Sequence, residues 1–229
     1  MQDLNADFVA IDFGGSLINS SFGIPSTFAY NIPSAIFPNT EYGVSAYWNL
    51  NEMVSFRSAI FKCDGGNFEE NPYNIKSDFN IDKNYQLFNE FHINKSLIRG
   101  NSGDFKLGTY YHKNHDIEDS QSNNYGFYFL GEQVLFEQNQ GNSSLGIFTQ
   151  ASFSPNNYCD NPLYLGFGFN YKGLIKQRTN DELSFGVGYS KINNQTVSNE
   201  TVFELNYKVQ FTNNISIKPD LQYIINPVG

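Results

Sequence analysis

The residues best suited to chemistry are few. His112 and His115, followed by Asp116, have a spacing that could begin a metal site. Zinc, however, needs three or four ligands, and the spacing points to no third or fourth. The acidic run Asp116, Glu118 and Asp119 could hold Ca²⁺ in a loop or simply be solvated. Cys63 and Cys159 each stand beside an aspartate, and no CxxC pair exists. A disulfide between two loops in an oxidising compartment and two unrelated thiols both remain open. A hydrolase would have to be assembled from His112, His115, Asp116 and Ser120, and nothing there sets a nucleophile against an oxyanion hole. No GxSxG elbow, phosphate-cradling loop or HExxH motif occurs. The expectation is therefore no enzyme, no cofactor and no bound metal.

Composition narrows the field further. The 229 residues carry 14 basic and 23 acidic side chains, a net charge of −9, which together with the lack of any basic run argues against nucleic acid as a partner. Aromatic residues reach 17% while charged residues reach only 16%, well below the roughly 25% charge of a soluble domain. Such aromatic content excludes disorder. No run of 18 apolar residues exists, so there is no spanning helix. Residues Met1 to Asn5 lack the basic and apolar regions of a secretory leader. Either a cytosolic chain or a beginning that lies upstream accounts for that.

Strict alternation at period two dominates the rest. Leu183, Phe185, Val187 and Tyr189 alternate with Ser184, Gly186, Gly188 and Ser190. The same pattern fills 163–171, 203–211 and 215–223, and further strands are predicted at 42–50, 54–61, 86–92, 105–112, 125–136 and 145–153. These make about ten segments of about 8 to 12 residues, and a tilted strand of about 9–11 residues spans a bilayer's hydrocarbon core. Longer polar loops (62–85, 113–124, 154–162, 191–200) alternate with shorter connections (51–53, 212–214), as in outer-membrane barrels. The connections 93–104 and 172–181 are long for the short side.

A soluble β-sandwich alternates too. Two features favour the membrane. Tyrosines (Tyr42, Tyr111, Tyr125, Tyr171, Tyr189, Tyr207, Tyr223) collect near strand ends around an aliphatic and Phe-rich middle, like an aromatic girdle. The opposite face carries Gly, Ser, Asn and Gln rather than the Lys and Glu of a water-facing sheet. Small side chains such as Gly166, Gly168, Gly186 and Gly188 are expected to leave room for a pore. Lipid offers no hydrogen bonds, so such a sheet must close into a barrel.

The closing run Glu200-Thr201-Val202-Phe203-Glu204-Leu205-Asn206-Tyr207, followed by Lys218-Pro219-Asp220-Leu221-Gln222-Tyr223-Ile224-Ile225-Asn226-Pro227, resembles that of the carbohydrate-selective OprB-type porins. Asn19–Pro25, Phe105–His112, Asn124–Tyr128 and Asn170–Ile175 are similar to further motifs of that family, in the same order. Val228 departs from it, standing where the family's closing loop has glycine. The resemblance implies an all-β, antiparallel transmembrane barrel of about 16 strands, with residues 1–229 forming one partial barrel domain. It also implies strands before Met1 and after Gly229, and hence two open edges for this chain alone. The localisation it implies is the bacterial outer membrane.

Under that resemblance the function is an aqueous channel for passive diffusion of carbohydrates such as glucose, with small sugars and outer-membrane lipid as the partners. A non-selective or structural barrel and a soluble carbohydrate-binding β-sandwich are the alternatives. Extending the alternation gives the inward-facing candidates Tyr47, Arg57, Glu90, Lys106, Tyr110, Glu132, Glu204, Asn206, Lys208, Lys218, Asp220 and Gln222. Charges of both signs suit neutral sugars better than a single-sign ring. Arg57 leads the set because a guanidinium fork matches vicinal hydroxyls. Residues 19–38, with Pro25, Pro33 and Pro38, form the one long apolar stretch without alternation; a constriction loop and a plug against the wall both remain open.

Overall fold

Each β-branched and aromatic run with period two becomes a strand paired to the next run in sequence. A computed structural model of the chain describes residues 8–32, 42–62, 84–98, 100–113, 123–138, 142–155, 159–193 and 196–227. Its strands are β1 (Gly43–Asn49), β2 (Val54–Lys62), β3 (Tyr85–Asn94), β4 (Gly103–Lys113), β5 (Asn124–Glu137), β6 (Ser144–Phe153), β7 (Leu163–Lys172), β8 (Glu182–Lys191), β9 (Asn199–Thr212), β10 (Ile215–Ile217) and β11 (Asp220–Ile225). All pairings are antiparallel meanders, β1 to β9 in order, with β10 and β11 both on β9. Among the described residues the edges β1 and β11 do not meet, so the sheet is open.

The single strand predicted over 215–223 is two strands laid end to end. Ser216 lies opposite Gln210 and Asp220 opposite Asn206, one continuous register. Pro219, which has no N–H to give the ladder, interrupts it. Eleven strands therefore make ten ribbons, one fewer because β10 and β11 share a ribbon.

Register sorts the side chains into an outer and an inner face, and their exposure is the inverse of a soluble protein's. Phe127 is 52% and Phe167 53% exposed, whereas Glu90 and Ser184 are at 0% and Glu204 at 1%. A water-soluble sheet would bury the two phenylalanines and expose the other three. This excludes the β-sandwich alternative and gives an apolar belt for hydrocarbon.

The inner face does not border an empty bore. Residues 8–32 cross it as a 3₁₀ turn (Gly14–Ser16) and two short helices, α1 (Ser20–Gly23) and α2 (Ser26–Ala29). Asn19 caps α1 through its side chain, which accepts from the Ser21 N–H at 3.0 Å. Phe8, Val9, Phe22, Phe28 and Ile32 join Phe61, Phe88, Tyr110, Tyr128 and Phe148 in one buried cluster. Phe28 lies 4.8 Å from the Tyr110 ring and 5.3 Å from the Tyr128 ring. Gly146 and Gly186 make room for this segment, while Gly166 and Gly168 make room for the wall side chains Tyr164 and Phe148, which corrects the expectation that the small inner residues leave an open pore. A Cβ on Gly186 would stand 2.4 Å from Leu17 Cδ1 and 2.8 Å from Phe22, and one on Gly146 would stand 2.2 Å from the Phe13 ring.

Both overlong short-side connections are folded structures. In the first, the Gln133 side chain accepts from the Leu97 N–H at 2.9 Å and donates to the Ser102 carbonyl at 2.8 Å. In the second, Asp181 accepts from Arg178, from the Tyr207 hydroxyl at 2.8 Å and from the Gln210 N–H at 3.0 Å. The Arg178 guanidinium holds the Asp181 carboxyl down from 3.8 to about 2. A depressed acid stabilises the fold above its unfolded value, and that contribution is lost as pH falls through the folded one. We expect this turn to keep its closure down to pH 3.8 and to open as pH approaches about 2. Asp181→Asn should abolish the acid-dependent step, read by amide shifts of residues 173–181 in a pH titration.

Candidate functional site

Every inward-facing residue read from alternation lies on the inner face, because cross-strand partners share a face. They divide into three groups by what they touch.

The first group is a row on β1, β2 and β3. Tyr47 pairs with Arg57 and Arg57 with Glu90. The Arg57 guanidinium stands 5.1 Å over the Tyr47 ring, a cation–π contact. Glu90 is fully buried and accepts from the Tyr128 hydroxyl at 2.9 Å. Phe8, Ser45, Ala46, Tyr47 and Arg57 enclose a hollow of about 190 Å³.

The second group holds residues 8–32 to the wall. Glu132 accepts from the backbone N–H of Asp12 at 2.9 Å and from that of Phe13. Glu204 accepts from those of Ile18 at 2.6 Å and Asn19 at 2.8 Å. Pairs of adjacent N–H groups at turns and helix starts have no partner of their own, and a carboxylate takes both with charge-assisted bonds. Cations and amides bind the carbonyls in turn. Lys106 donates to Ala10, Tyr110 to Thr27 at 3.3 Å, and Asn206 and Lys218 both to Ser16, at 3.2 and 2.7 Å. Gln222 accepts from Asn19 Nδ2 at 3.1 Å.

The third group, Lys208 and Asp220, does not touch the segment. Lys208 follows Glu182 across the sheet, and exposed Asp220 accepts from Gln222 at 2.9 Å.

Sequence reasoning missed residues 8–18 and the hydroxyl and amide partners that complete the anchoring. Ser16 donates to Ser184 at 2.9 Å, Thr27 to Ser152 at 2.6 Å and Ser190 to Ser26 at 2.9 Å. Gln150 donates to the Phe22 carbonyl at 2.9 Å. The available signal was the alternation itself, which places Ser152, Gln150, Ser184 and Ser190 inward. The segment's own sequence offers no period to read.

His112 is buried on the inner face of β4. His115, Asp116, Glu118, Asp119 and Ser120 lie outside the described residues, as do Cys63, Pro33 and Pro38. Among the described residues no three His, Cys, Asp or Glu side chains gather as metal ligands, and none of their helices is long and apolar enough to cross a membrane.

The family model described as carbohydrate-selective porin, OprB family, matches residues 1–229. The high-pH structure of Pseudomonas putida OprB is similar, with 19% identity and a TM-score of 0.72 over 82% of this chain and 55% of that one. The low-pH structure of the same protein matches at 20% identity and a TM-score of 0.58, over 80% and 50%. The chain thus spans about half the length of these structures, and at such identity the likeness is one of fold. No curated protein matches the sequence.

Proposed function

The chain belongs to the carbohydrate-selective porin family OprB, and on that premise we propose that its inner face is wall and constriction of an outer-membrane channel for passive diffusion of small neutral sugars such as glucose. The observation that carries the reading is the hollow at Arg57. A pyranose ring has C–H patches that stack on aromatic faces and vicinal hydroxyls that need forked donors. Half-exposed Tyr47 supplies the first and Arg57 the second. The pore-lining role extends to Glu90, Lys106, Tyr110, Glu132, Glu204, Asn206, Lys208, Lys218, Asp220 and Gln222. Residues 19–38, extended back to residue 8, act as the constriction that narrows the water path.

A second reading draws on the same packing. A segment held by two carboxylates and a buried aromatic cluster would suit a structural barrel whose lumen is plugged. Planar-bilayer conductance separates the two. A sugar channel conducts ions, and millimolar glucose reduces the current; a plugged barrel gives no open steps. Arg57→Ala should raise the blocking constant about tenfold, the equivalent of one charge-assisted hydrogen bond. An unchanged constant would remove Arg57 from the sugar path.

A further inference from the structure

We propose that the polar hollow at the short-turn end of the wall binds a sugar that carries one anionic group, a carboxylate or a phosphate, between Lys172 and Lys208. The proposal rests on the channel reading, since the concave face must meet permeating solute. Short turns mark the periplasmic end of such barrels, so the site lies at the exit of the path.

The hollow measures about 640 Å³ and is lined by Lys172, Asn180, Glu182, Lys208, Gln210 and Ser216, with the Asn213–Asn214 turn. That is the size of a small-molecule site. Lys172, Glu182 and Lys208 form one cross-strand row on β7, β8 and β9. Adjacent strands lie about 4.8 Å apart, so the two lysine Cα atoms stand about 10 Å apart. Two flexible four-carbon stems can bring both ammonium groups to one oxyanion between them.

Glu182 stands in the middle of the row, but its carboxylate is turned along the wall. Its Oε1 accepts from Asn170 Nδ2 at 2.6 Å. Neither Lys172 nor Lys208 has an ion pair or hydrogen bond among the described residues. Lys218, by contrast, donates to the Ser16 carbonyl, and Arg178 is paired with Asp181. Two ammonium groups against one carboxylate leave a net positive hollow in a chain of net charge −9. The amide of Asn180 and the hydroxyl of Ser216 provide neutral partners for sugar hydroxyls.

The test is calorimetric titration of the full chain in detergent micelles with D-glucose, D-gluconate, glucose 6-phosphate and inorganic phosphate. At low ionic strength both charged sugars should bind about tenfold tighter than glucose, and salt should erase the difference. Lys172→Gln with Lys208→Gln should abolish the preference and bring both charged sugars to the glucose level. Arg57→Ala should weaken glucose binding and leave the preference for the charged sugars standing. Circular dichroism verifies that both variants keep the sheet. A wild-type chain without the preference, or a double variant that keeps it, overturns the proposal. Inorganic phosphate binding as tightly as glucose 6-phosphate overturns its assignment to a sugar. Failure of glucose to bind while the anionic preference stands would sink the neutral-sugar reading alone.

Discussion

A chain carrying both Glu132→Ala and Glu204→Ala is expected to release residues 8–32 from the wall while β1 to β11 stay paired. Each glutamate holds two adjacent backbone N–H groups, Asp12 with Phe13 and Ile18 with Asn19. A hydrogen bond to a charged acceptor contributes about 1.5–3 kcal/mol, and four are lost together. Water reaching the freed N–H groups offsets most of that loss. A net loss of about 3 kcal/mol is about a hundredfold in the open population. Amide exchange at Phe13, Ile18 and Asn19 should accelerate by that factor while exchange within β6 and β7 stays put. In bilayers, conductance should rise as the segment leaves the path. Unchanged exchange at these amides would show that the glutamates are not the anchors.

Gly186→Leu should displace the same segment by volume rather than charge. A bare Cβ there already comes within 2.4 Å of Leu17 Cδ1 and 2.8 Å of the Phe22 ring. Phe22 is fully buried against Phe148, with ring centroids 6.1 Å apart, so it has nowhere to retreat. Overpacking of this kind costs at least about 1–3 kcal/mol, and the least constrained element gives way. The strands carry continuous ladders on both sides of Gly186, whereas the segment has only short turns of its own. Limited proteolysis should therefore cut within 8–32 in Gly186→Leu and leave the strands intact. Adding Phe22→Ala should restore protection, because the new side chain then occupies the vacated ring's space. Failure of that rescue would place the segment elsewhere than on β8.

Much of the sheet was legible because period-two patterning is a local property. Residues 54–61 became Val54–Lys62 and 145–153 became Ser144–Phe153. The inner positions of all twelve candidates followed from the same parity, since a strand offers only two faces. β9 begins at Asn199 rather than 203, because Asn199-Glu200-Thr201 carries no apolar alternation and is paired by β8 instead. The anchoring was not legible. Glu132 and Glu204 look like any lumen charge in sequence, and their partners are backbone N–H groups, which every residue but proline possesses.

Taken by itself, then, the order of large and small side chains determined that this chain makes a meander with an apolar outer belt and a polar inner face. Which inner side chains meet water and which grip residues 8–32 was decided only in three dimensions. Parity along a strand is set by neighbouring residues, whereas Ile18 meets Glu204 across 186 positions. Such a meeting depends on register accumulated over many strands, and no local pattern encodes it.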